Sequence, residues 1–215
     1  MMSVGHEQPR AGHGRVASEL LPSRRTAGFS LIEAMVTVAV SAILLAIAAP
    51  SFSDFINTSR LAAQSNDIIS ALNLARSETL RLGRGVVFCR SRAPFTTCIG
   101  GAGGWEGWLV FVDANGNLQR DAGEAVLRTG PIDPSALTVR ASSALVGVDN
   151  RVPFRPDGFA RVPGATTPLT AALGICKADT GLADNARTLF IAAGSRIVLV
   201  KGTSTGCAAP ADAQS

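Results

Sequence analysis

The chain has 215 residues, a formal net charge of +4 and a hydrophobic content of 47%, with only 17% charged residues. At about 100 to 200 residues per domain, this length predicts one globular unit with appendages. The abundant Val, Leu and Ile exclude a collagen-like or disordered chain. A mean hydropathy of +0.26 is high for a soluble protein and predicts that one segment lies in a membrane.

The N-terminal region combines a polar leader with a long apolar segment. Residues 1–28 show no apolar periodicity and include the basic pair Arg24 and Arg25, whereas residues 29–49 are apolar apart from Ser30, Glu33, Thr37 and Ser41. As a helix with about 1.5 Å per residue, this segment matches the hydrocarbon thickness of a bilayer, roughly 30 Å. The basic pair predicts a cytoplasmic N-terminus and an external C-terminal domain.

A cleaved secretory signal is the alternative interpretation, with Ala46-Ile47-Ala48 as the small-residue cleavage site. Two features argue against it. The apolar run is longer than a signal core of about 7 to 15 residues. Glu33 also places a carboxylate in the segment, at a cost on the order of 3 kcal/mol at mid-span, so its presence indicates a use. We therefore favour a single-pass anchor.

The six residues at positions 28–33, GFSLIE, resemble the type III signal of type IV prepilins and type II secretion pseudopilins. The resemblance implies that a prepilin peptidase cuts between Gly28 and Phe29 and methylates the new amine of Phe29. It also implies that Glu33 pairs with the N-terminal amine of a neighbouring subunit, and a buried carboxylate does need a cationic partner. Pro50 matches the proline that closes the apolar stretch and loosens the helix in filaments.

The helical pattern continues beyond the apolar segment. One face of an amphipathic helix is formed by apolar and small residues spaced three, four or seven apart, and Gly83 provides a C-terminal stop. We therefore expect one helix from about residue 29 to 82, with a membrane half at 29–49 and an amphipathic half within 50–83. The residues of the expected core-facing stripe are Leu61, Ile68, Leu72, Ala75 and Thr79.

The remainder, 84–215, is expected to form an external β-rich domain. Turn signals such as Asn115-Gly116 and Asp157-Gly158 separate short runs of β-favouring residues. A helix packed on an antiparallel sheet gives an α+β fold. The runs expected to form strands are 85–89, 108–112, 125–128, 137–140, 152–155, 169–175 and 188–201.

Four segments, 71–78, 107–113, 121–124 and 126–128, are similar to the GspH/FimT family of minor pilins and pseudopilins. The resemblance implies a type IV pilin-like fold and a low-abundance structural subunit near the tip of a type II secretion pseudopilus or a type IV pilus. It implies an inner-membrane location, with the C-terminal domain in the periplasm. The implied partners are the prepilin peptidase, other minor pilins or pseudopilins, and the inner-membrane assembly platform.

All four cysteines lie in the predicted external domain, where three pairings are possible. We favour the pairs that are nearest in sequence, Cys89 with Cys98 and Cys176 with Cys207. An oxidising periplasm suits both bonds, each worth about 2 to 4 kcal/mol. A metal site is disfavoured because the cysteines lack CxxC spacing and no histidine follows the leader.

The segment 113–124 nearly fits a calcium-binding loop. Its Asp, Asn and Glu side chains occupy the first, third, fifth, ninth and twelfth positions. The sixth position, however, is Leu118 instead of the glycine that the sharp turn needs, and the flanking residues read as strands. A polar β-hairpin loop, with Asn115-Gly116 at a turn, is the interpretation we favour.

Enzymatic function is disfavoured by the residues themselves. Without a histidine after the leader, Ser-His-Asp and Cys-His nucleophile systems are not available to the processed chain. The sequence also lacks a phosphate-binding Gly-Lys-Ser/Thr loop and a GxGxxG after a strand. We therefore predict no catalytic residue, cofactor or metal.

DNA binding is the alternative function, because FimT-like members of some bacteria bind DNA during natural transformation. Removal of residues 1–28 takes away four basic and two acidic residues and leaves a net charge of +2, which is low for a polyanion binder. Such receptors carry a Gly-Arg-x-Arg motif near the C-terminus, and here residues 194–197 supply one arginine, Arg196. The candidate DNA contacts are Arg187, Arg196 and Lys201, and further arginines group at 90–92 and 151–161.

Overall fold

The structure is a computed structural model that describes residues 28–178 and 184–213. The chain divides into two compact units, Met1–Leu45 and Ala46–Ser215, with the boundary inside the first helix. That helix, α1, comprises Leu31–Leu82. The predicted leader lies outside the described residues apart from Gly28.

Local chemistry defines both ends of α1. The hydroxyl of Ser30 accepts a hydrogen bond from the backbone N–H of Glu33 at 3.2 Å, which caps the first turn. At the other end Gly83 has a φ of +63°, and its N–H donates to the carbonyl of Thr79 at 3.0 Å. This left-handed glycine ends the helix where the sequence predicts a stop. Between the two caps, α1 remains helical through Pro50.

Eight strands and one short helix follow α1. The strands are β1 (Gly85–Ser91), β2 (Gly107–Asp113), β3 (Val126–Pro131), β4 (Thr138–Ala141), β5 (Arg151–Phe154), β6 (Ala171–Cys176), β7 (Ala186–Ala192) and β8 (Arg196–Gly202), and the helix α2 is Ser143–Gly147. Six of the expected runs overlap β1 to β6. The seventh was expected as a single strand at 188–201, and that prediction is wrong.

A tight turn divides the seventh run into β7 and β8. It lies at Ala193–Ser195, where Gly194 and Ser195 have φ values of +77° and +59°. Because the turn is only three residues long and its flanks are apolar, the local pattern resembles one continuous strand. Reversal at this point places β8 beside β7 in antiparallel register, from Ala186 opposite Gly202 to Ala192 opposite Arg196.

The strands form two four-stranded antiparallel sheets instead of the one sheet expected. The first has the order β3-β2-β1-β5 and the second β4-β6-β7-β8. The division arises because β5 returns to the free side of β1, with Val86 opposite Phe154, while β4 pairs with β6. Such long-range pairings are not encoded in the alternation of any single strand. The α+β class with antiparallel pairing is confirmed.

The amphipathic half of α1 contributes one face to the core. The predicted stripe is confirmed, since its five residues from Leu61 to Thr79 are fully buried. The four apolar residues of the stripe join a cluster that includes side chains of both sheets, such as Trp108 of β2 and Leu189 of β7. A second, smaller cluster of Val87, Cys89, Leu109 and Phe111 covers the other face of the first sheet.

Candidate functional site

The N-terminal half of α1 exposes all of its described side chains. Residues 28–47 are exposed without exception, and α1 is the one helix of the described chain that is long and apolar enough to cross a membrane. Its hydroxyls do not oppose burial in lipid. Thr37 donates to the carbonyl of Ala34 at 2.9 Å, and Ser41 donates to the carbonyl of Thr37 at 2.7 Å. Bonds of this kind satisfy a polar side chain within its own helix.

Glu33 differs from those hydroxyls. Its backbone N–H donates to the Ser30 hydroxyl, but its carboxylate has no hydrogen-bond or ion-pair partner within residues 28–178 and 184–213. An unpaired carboxylate in hydrocarbon is costly, about 3 kcal/mol on insertion scales. The geometry therefore leaves Glu33 available for a cation supplied from outside the described residues.

Gly28 is exposed, and a Cβ atom built on it would meet nothing within 4 Å. The packing of this chain therefore does not require glycine at this position. Any requirement for glycine must come from a molecule that recognises the segment. Phe29, on the other side of the predicted cleavage point, is 82% exposed.

Both disulfides have the pairing favoured from the sequence. Cys89 of β1 bonds to Cys98, and Cys176 of β6 bonds to Cys207 near the C-terminus. The first bond packs beside the small cluster on the outer face of the first sheet. The second links the end of β6 to the segment that follows β8. Each bond fastens an irregular segment to a buried strand.

The segment 113–124 is a hydrogen-bonded loop between β2 and β3. The carboxylate of Asp113, which is 4% exposed, accepts three backbone N–H groups. They belong to Gly116, Asn117 and Leu118, at 2.9, 3.1 and 3.1 Å. Leu118, at the position that needs glycine in a calcium loop, has a φ of +61°.

The other two carboxylates of this loop also accept hydrogen bonds from groups within the loop. Asp121 accepts side-chain N–H groups from Asn115 and Asn117, and these bonds lower its pKa. Glu124 accepts the backbone N–H of Ala114 at 2.8 Å. No group of three or more His, Cys, Asp or Glu in the described residues is arranged to hold a metal. The geometry supports the hairpin interpretation.

Arg187, one of the three candidate DNA contacts, is a buried structural residue. It is 4% exposed, and its guanidinium donates to the carbonyls of Asp184 and Ala186 at 3.1 and 2.9 Å. A group enclosed in this way has no surface to offer a phosphate. The interpretation of Arg187 as a DNA contact is therefore corrected. Strand alternation alone could not show that backbone carbonyls surround it.

Most of the other grouped arginines are also engaged within the fold. Arg90 is 8% exposed and donates to the carbonyls of Gly100 and Gly103. The side chain of Asn150 donates to the carbonyl of Gly101. These two side chains therefore hold the glycine-rich loop after Cys98 in place. Burial lowers the pKa of Arg90. The remaining pairs are Arg151 with Asp149, Arg155 with the carbonyl of Ala165, and Arg161 with Asp157.

Arg196 and Lys201 are the candidates that remain accessible. Both are exposed on β8, and neither has an ion pair with any described residue. They lie on opposite faces of the strand, since they are five positions apart and side chains alternate. The structure thus brings two of the three candidate cations to one strand and leaves Arg187 inside.

Comparison with known families identifies the chain. The family model GspH, described as a type II transport protein, matches residues 64–198, which is more than half of the chain. The chain belongs to the GspH family. The prokaryotic N-terminal methylation motif matches residues 23–49, which contain Gly28, Phe29 and Glu33. GspH-family chains are structural, pilin-like subunits, so this one is a minor pilin or pseudopilin that is processed at its N-terminus, anchored in a membrane and assembled with other pilins.

Two crystal structures of the type IV minor pilin FimU of Pseudomonas aeruginosa, in different space groups, are similar to this GspH-family chain. One is 23% identical with a TM-score of 0.45, and the matched region covers 65% of this chain and 92% of the FimU chain. The other is 22% identical with a TM-score of 0.47, and covers 68% and 92%. No curated protein matches the sequence significantly.

The sequence did not reveal how the GspH-family domain fastens its C-terminus. The carboxylate of Asp212 accepts hydrogen bonds from the hydroxyl of Ser143 and the backbone N–H of Ala144, at the start of α2. The hydroxyls of Ser142 and Ser143 hold the pKa of Asp212 below its usual value. Adjacent serines ahead of a short apolar run are a capping signal, but the acid lies 68 residues away from Ala144, so only the fold brings them together.

Proposed function

We propose that this chain acts in filament initiation at the tip of a type II secretion pseudopilus or a type IV pilus. The observation that carries the proposal is the unpaired Glu33 carboxylate in an otherwise satisfied apolar segment. A carboxylate of this kind is stabilised by a cation on a neighbouring subunit, and the free amine at Phe29 of the next chain supplies one. The methylation motif around it supports the same role.

The topology that goes with this function has four parts. Residues 1–28 form a cytoplasmic leader that the prepilin peptidase removes, and 29–49 span the inner membrane. Residues 50–83 form the amphipathic half of the helix, and 84–215 form the periplasmic domain. Two disulfides suit that oxidising compartment. The inner-membrane assembly platform and the other minor pilins or pseudopilins are the proposed partners.

Processing can be tested through Gly28. Because no atom lies within 4 Å of a Cβ there, Gly28→Leu leaves the chain's own fold intact. Co-expression with a prepilin peptidase should yield a mature chain that begins with N-methylated Phe29 in the unchanged protein, and an uncut chain in the variant. Intact-mass spectrometry distinguishes the two. Cleavage after position 48 instead would support a secretory signal and overturn the proposal.

Assembly can be tested by comparing Glu33→Leu with Thr37→Leu in cells that make the partner subunits. Both changes remove a polar group one helical turn apart, but the Thr37 hydroxyl is already bonded to Ala34. We expect Glu33→Leu to remain processed and membrane-bound while co-purification with the other minor pilins falls at least about tenfold, equivalent to 1.4 kcal/mol. Thr37→Leu should match the unchanged protein. Equal effects of the two variants would contradict the proposal.

DNA uptake remains the second candidate function. Arg196 and Lys201, both exposed and unpaired with described acids, are the observations in its favour. The burial of Arg187 and the engagement of Arg90 argue against it. Duplex DNA that binds in the micromolar range, weakens steeply with salt and requires Arg196 would establish this role.

A further inference from the structure

The outer edge of β8 is open along its whole length. β8 is the last strand of the second sheet and pairs with β7 in a register without shifts from Arg196 to Gly202. No bridge links its other side to any part of the chain that the structure describes. In an antiparallel edge strand, every second residue directs its N–H and C=O away from the sheet. β8 therefore presents a row of backbone donors and acceptors.

The edges of the first sheet are protected. At β5, Phe154 forms a bridge with Ala160, and the carbonyl of Pro153 accepts the N–H of Arg161 at 3.3 Å. At β3, the register shifts opposite β2, and the strand ends at Pro131, which has no N–H to offer. Bulges, prolines and covering loops are the usual ways in which proteins block edge pairing.

The other edge of the second sheet is protected too. β4 has only four residues, and the carbonyl of Val139 already accepts the N–H of Trp105 at 3.0 Å. β8, by contrast, has seven residues and contains no proline. Among the four sheet edges in the described residues, β8 is the long and regular one. A fold that blocks three edges and leaves this one open indicates that the edge has a partner.

The side chains of β8 define the chemistry of that partner. Leu199 and Val200 are 37% and 47% exposed, on opposite faces of the strand. Arg196 and Lys201 flank them, about 17 Å apart at roughly 3.4 Å per residue. The strand thus offers an apolar centre between two cations. It is also rigid, because Ile197 packs against the core and β7 beside it is anchored by the buried Leu189 and Ile191.

Pairing of β8 with a second copy of itself gives neither cation an acidic partner. An antiparallel pair centred on Leu199 would place Arg196 opposite Gly202 of the other chain and Lys201 opposite Ile197. A parallel pair in register would place Arg196 opposite Arg196 and Lys201 opposite Lys201. Like charges across a strand pair are destabilising. The complementary strand instead carries acids that are five residues apart, on opposite faces, with apolar or β-branched residues between them.

We propose that the β8 edge binds an extended acidic segment of another protein, which adds a fifth strand to the second sheet. Backbone hydrogen bonds along β8 supply affinity, and Arg196 and Lys201 select a segment with the pattern acid-x-x-x-x-acid. This interaction is independent of the proposed role of Glu33, since it uses only the periplasmic domain.

The test uses the full chain in detergent micelles and the synthetic peptide Asp-Val-Thr-Val-Thr-Glu, with Lys-Val-Thr-Val-Thr-Lys as the charge control. Titration calorimetry should detect the acidic peptide and give at least about tenfold weaker binding for the lysine peptide. Two further versions of the acidic peptide carry N-methyl groups on alternate backbone amides. One of them should lose binding and the other should keep it, because only alternate amides face the partner strand.

Variants of the protein complete the test. The double variant Arg196→Glu with Lys201→Glu should reverse the preference between the two peptides. Arg140→Glu, a change at an exposed arginine of β4 on the opposite edge of the same sheet, should leave it unchanged.

Three results would overturn the proposal. The first is no binding of the acidic peptide at millimolar concentration, and the second is binding that neither N-methylated version weakens. The third is duplex DNA that binds more tightly and displaces the peptide, which would assign this edge to nucleic acid.

Discussion

The two halves of α1 illustrate different uses of one secondary structure. Residues 31–47 expose every side chain, although nearly all are apolar. Between Leu61 and Thr79, in contrast, one face is fully buried in the core of the domain, and the exposed face consists of small and polar residues. An apolar stripe of limited width is typical of a helix that packs on the sheets of its own domain, whereas an apolar surface on all sides is typical of a helix surrounded by lipid or other helices.

The polar groups of the two halves follow the same division. Thr37 and Ser41 bond to carbonyls of their own helix, so the first half needs nothing from the domain. Thr79 instead bonds to the carbonyls of Arg84 and Phe154 outside the helix. We infer that the first half governs assembly and the second half governs folding. Matched substitutions in the two halves should therefore have different effects.

The largest contrast is expected between Leu72→Ala and Leu44→Ala. Leu72 is fully buried in the core, whereas Leu44 is 62% exposed. The first change should lower the free energy of unfolding by about 2 to 5 kcal/mol through lost burial and a cavity. The second should leave it unchanged. Unfolding by guanidinium chloride in detergent, followed by the fluorescence of the two buried tryptophans, measures the free energy of unfolding of both variants. A similar loss of stability in both would contradict the division of α1 into an assembly half and a folding half.

A smaller contrast is expected between Thr79→Val and Thr37→Val. Valine keeps the shape of threonine but removes the hydroxyl. At position 79 this leaves the carbonyl of Phe154 without its 3.2 Å bond in a buried site, which should cost about 1 to 3 kcal/mol. At position 37 the domain should unfold at the same denaturant concentration as before. An effect of Thr37→Val as large as that of Thr79→Val would show that the first half also stabilises the domain.

The smallest effect is expected on the exposed face of the second half. Arg81 donates to Glu78 at 2.6 Å, and this hydrogen bond lowers the pKa of Glu78 from its ordinary value. A lowered carboxyl pKa stabilises the fold above that ordinary value, and the stabilisation is lost as pH falls through the lowered one. Arg81→Ala should therefore shift the unfolding midpoint slightly at pH 7, and the shift should shrink as the pH falls below the ordinary carboxyl pKa. A shift that stays the same size as the pH falls would mean that Arg81 acts through packing.

Local signals predicted the helix and most strands because each rests on neighbours in sequence. The stop at Gly83 and the stripe from Leu61 to Thr79 follow from backbone freedom and helical periodicity. The turn between β7 and β8 was missed because Gly194 and Ser195 interrupt an apolar run only briefly. The burial of Arg187 was missed because the carbonyls around it come from a backbone path that strand alternation does not describe.

By itself, the sequence determined that this protein has a signal for N-terminal processing, an apolar helix with one carboxylate, and an antiparallel β-rich domain. These depend on residue types at short spacing. Only the tertiary structure decided that the strands divide into two sheets, that Arg187 is enclosed while Arg196 and Lys201 are not, and that β8 has an open edge. The reason is that strand order and enclosure arise from contacts between residues far apart in the chain, where local propensity carries no information.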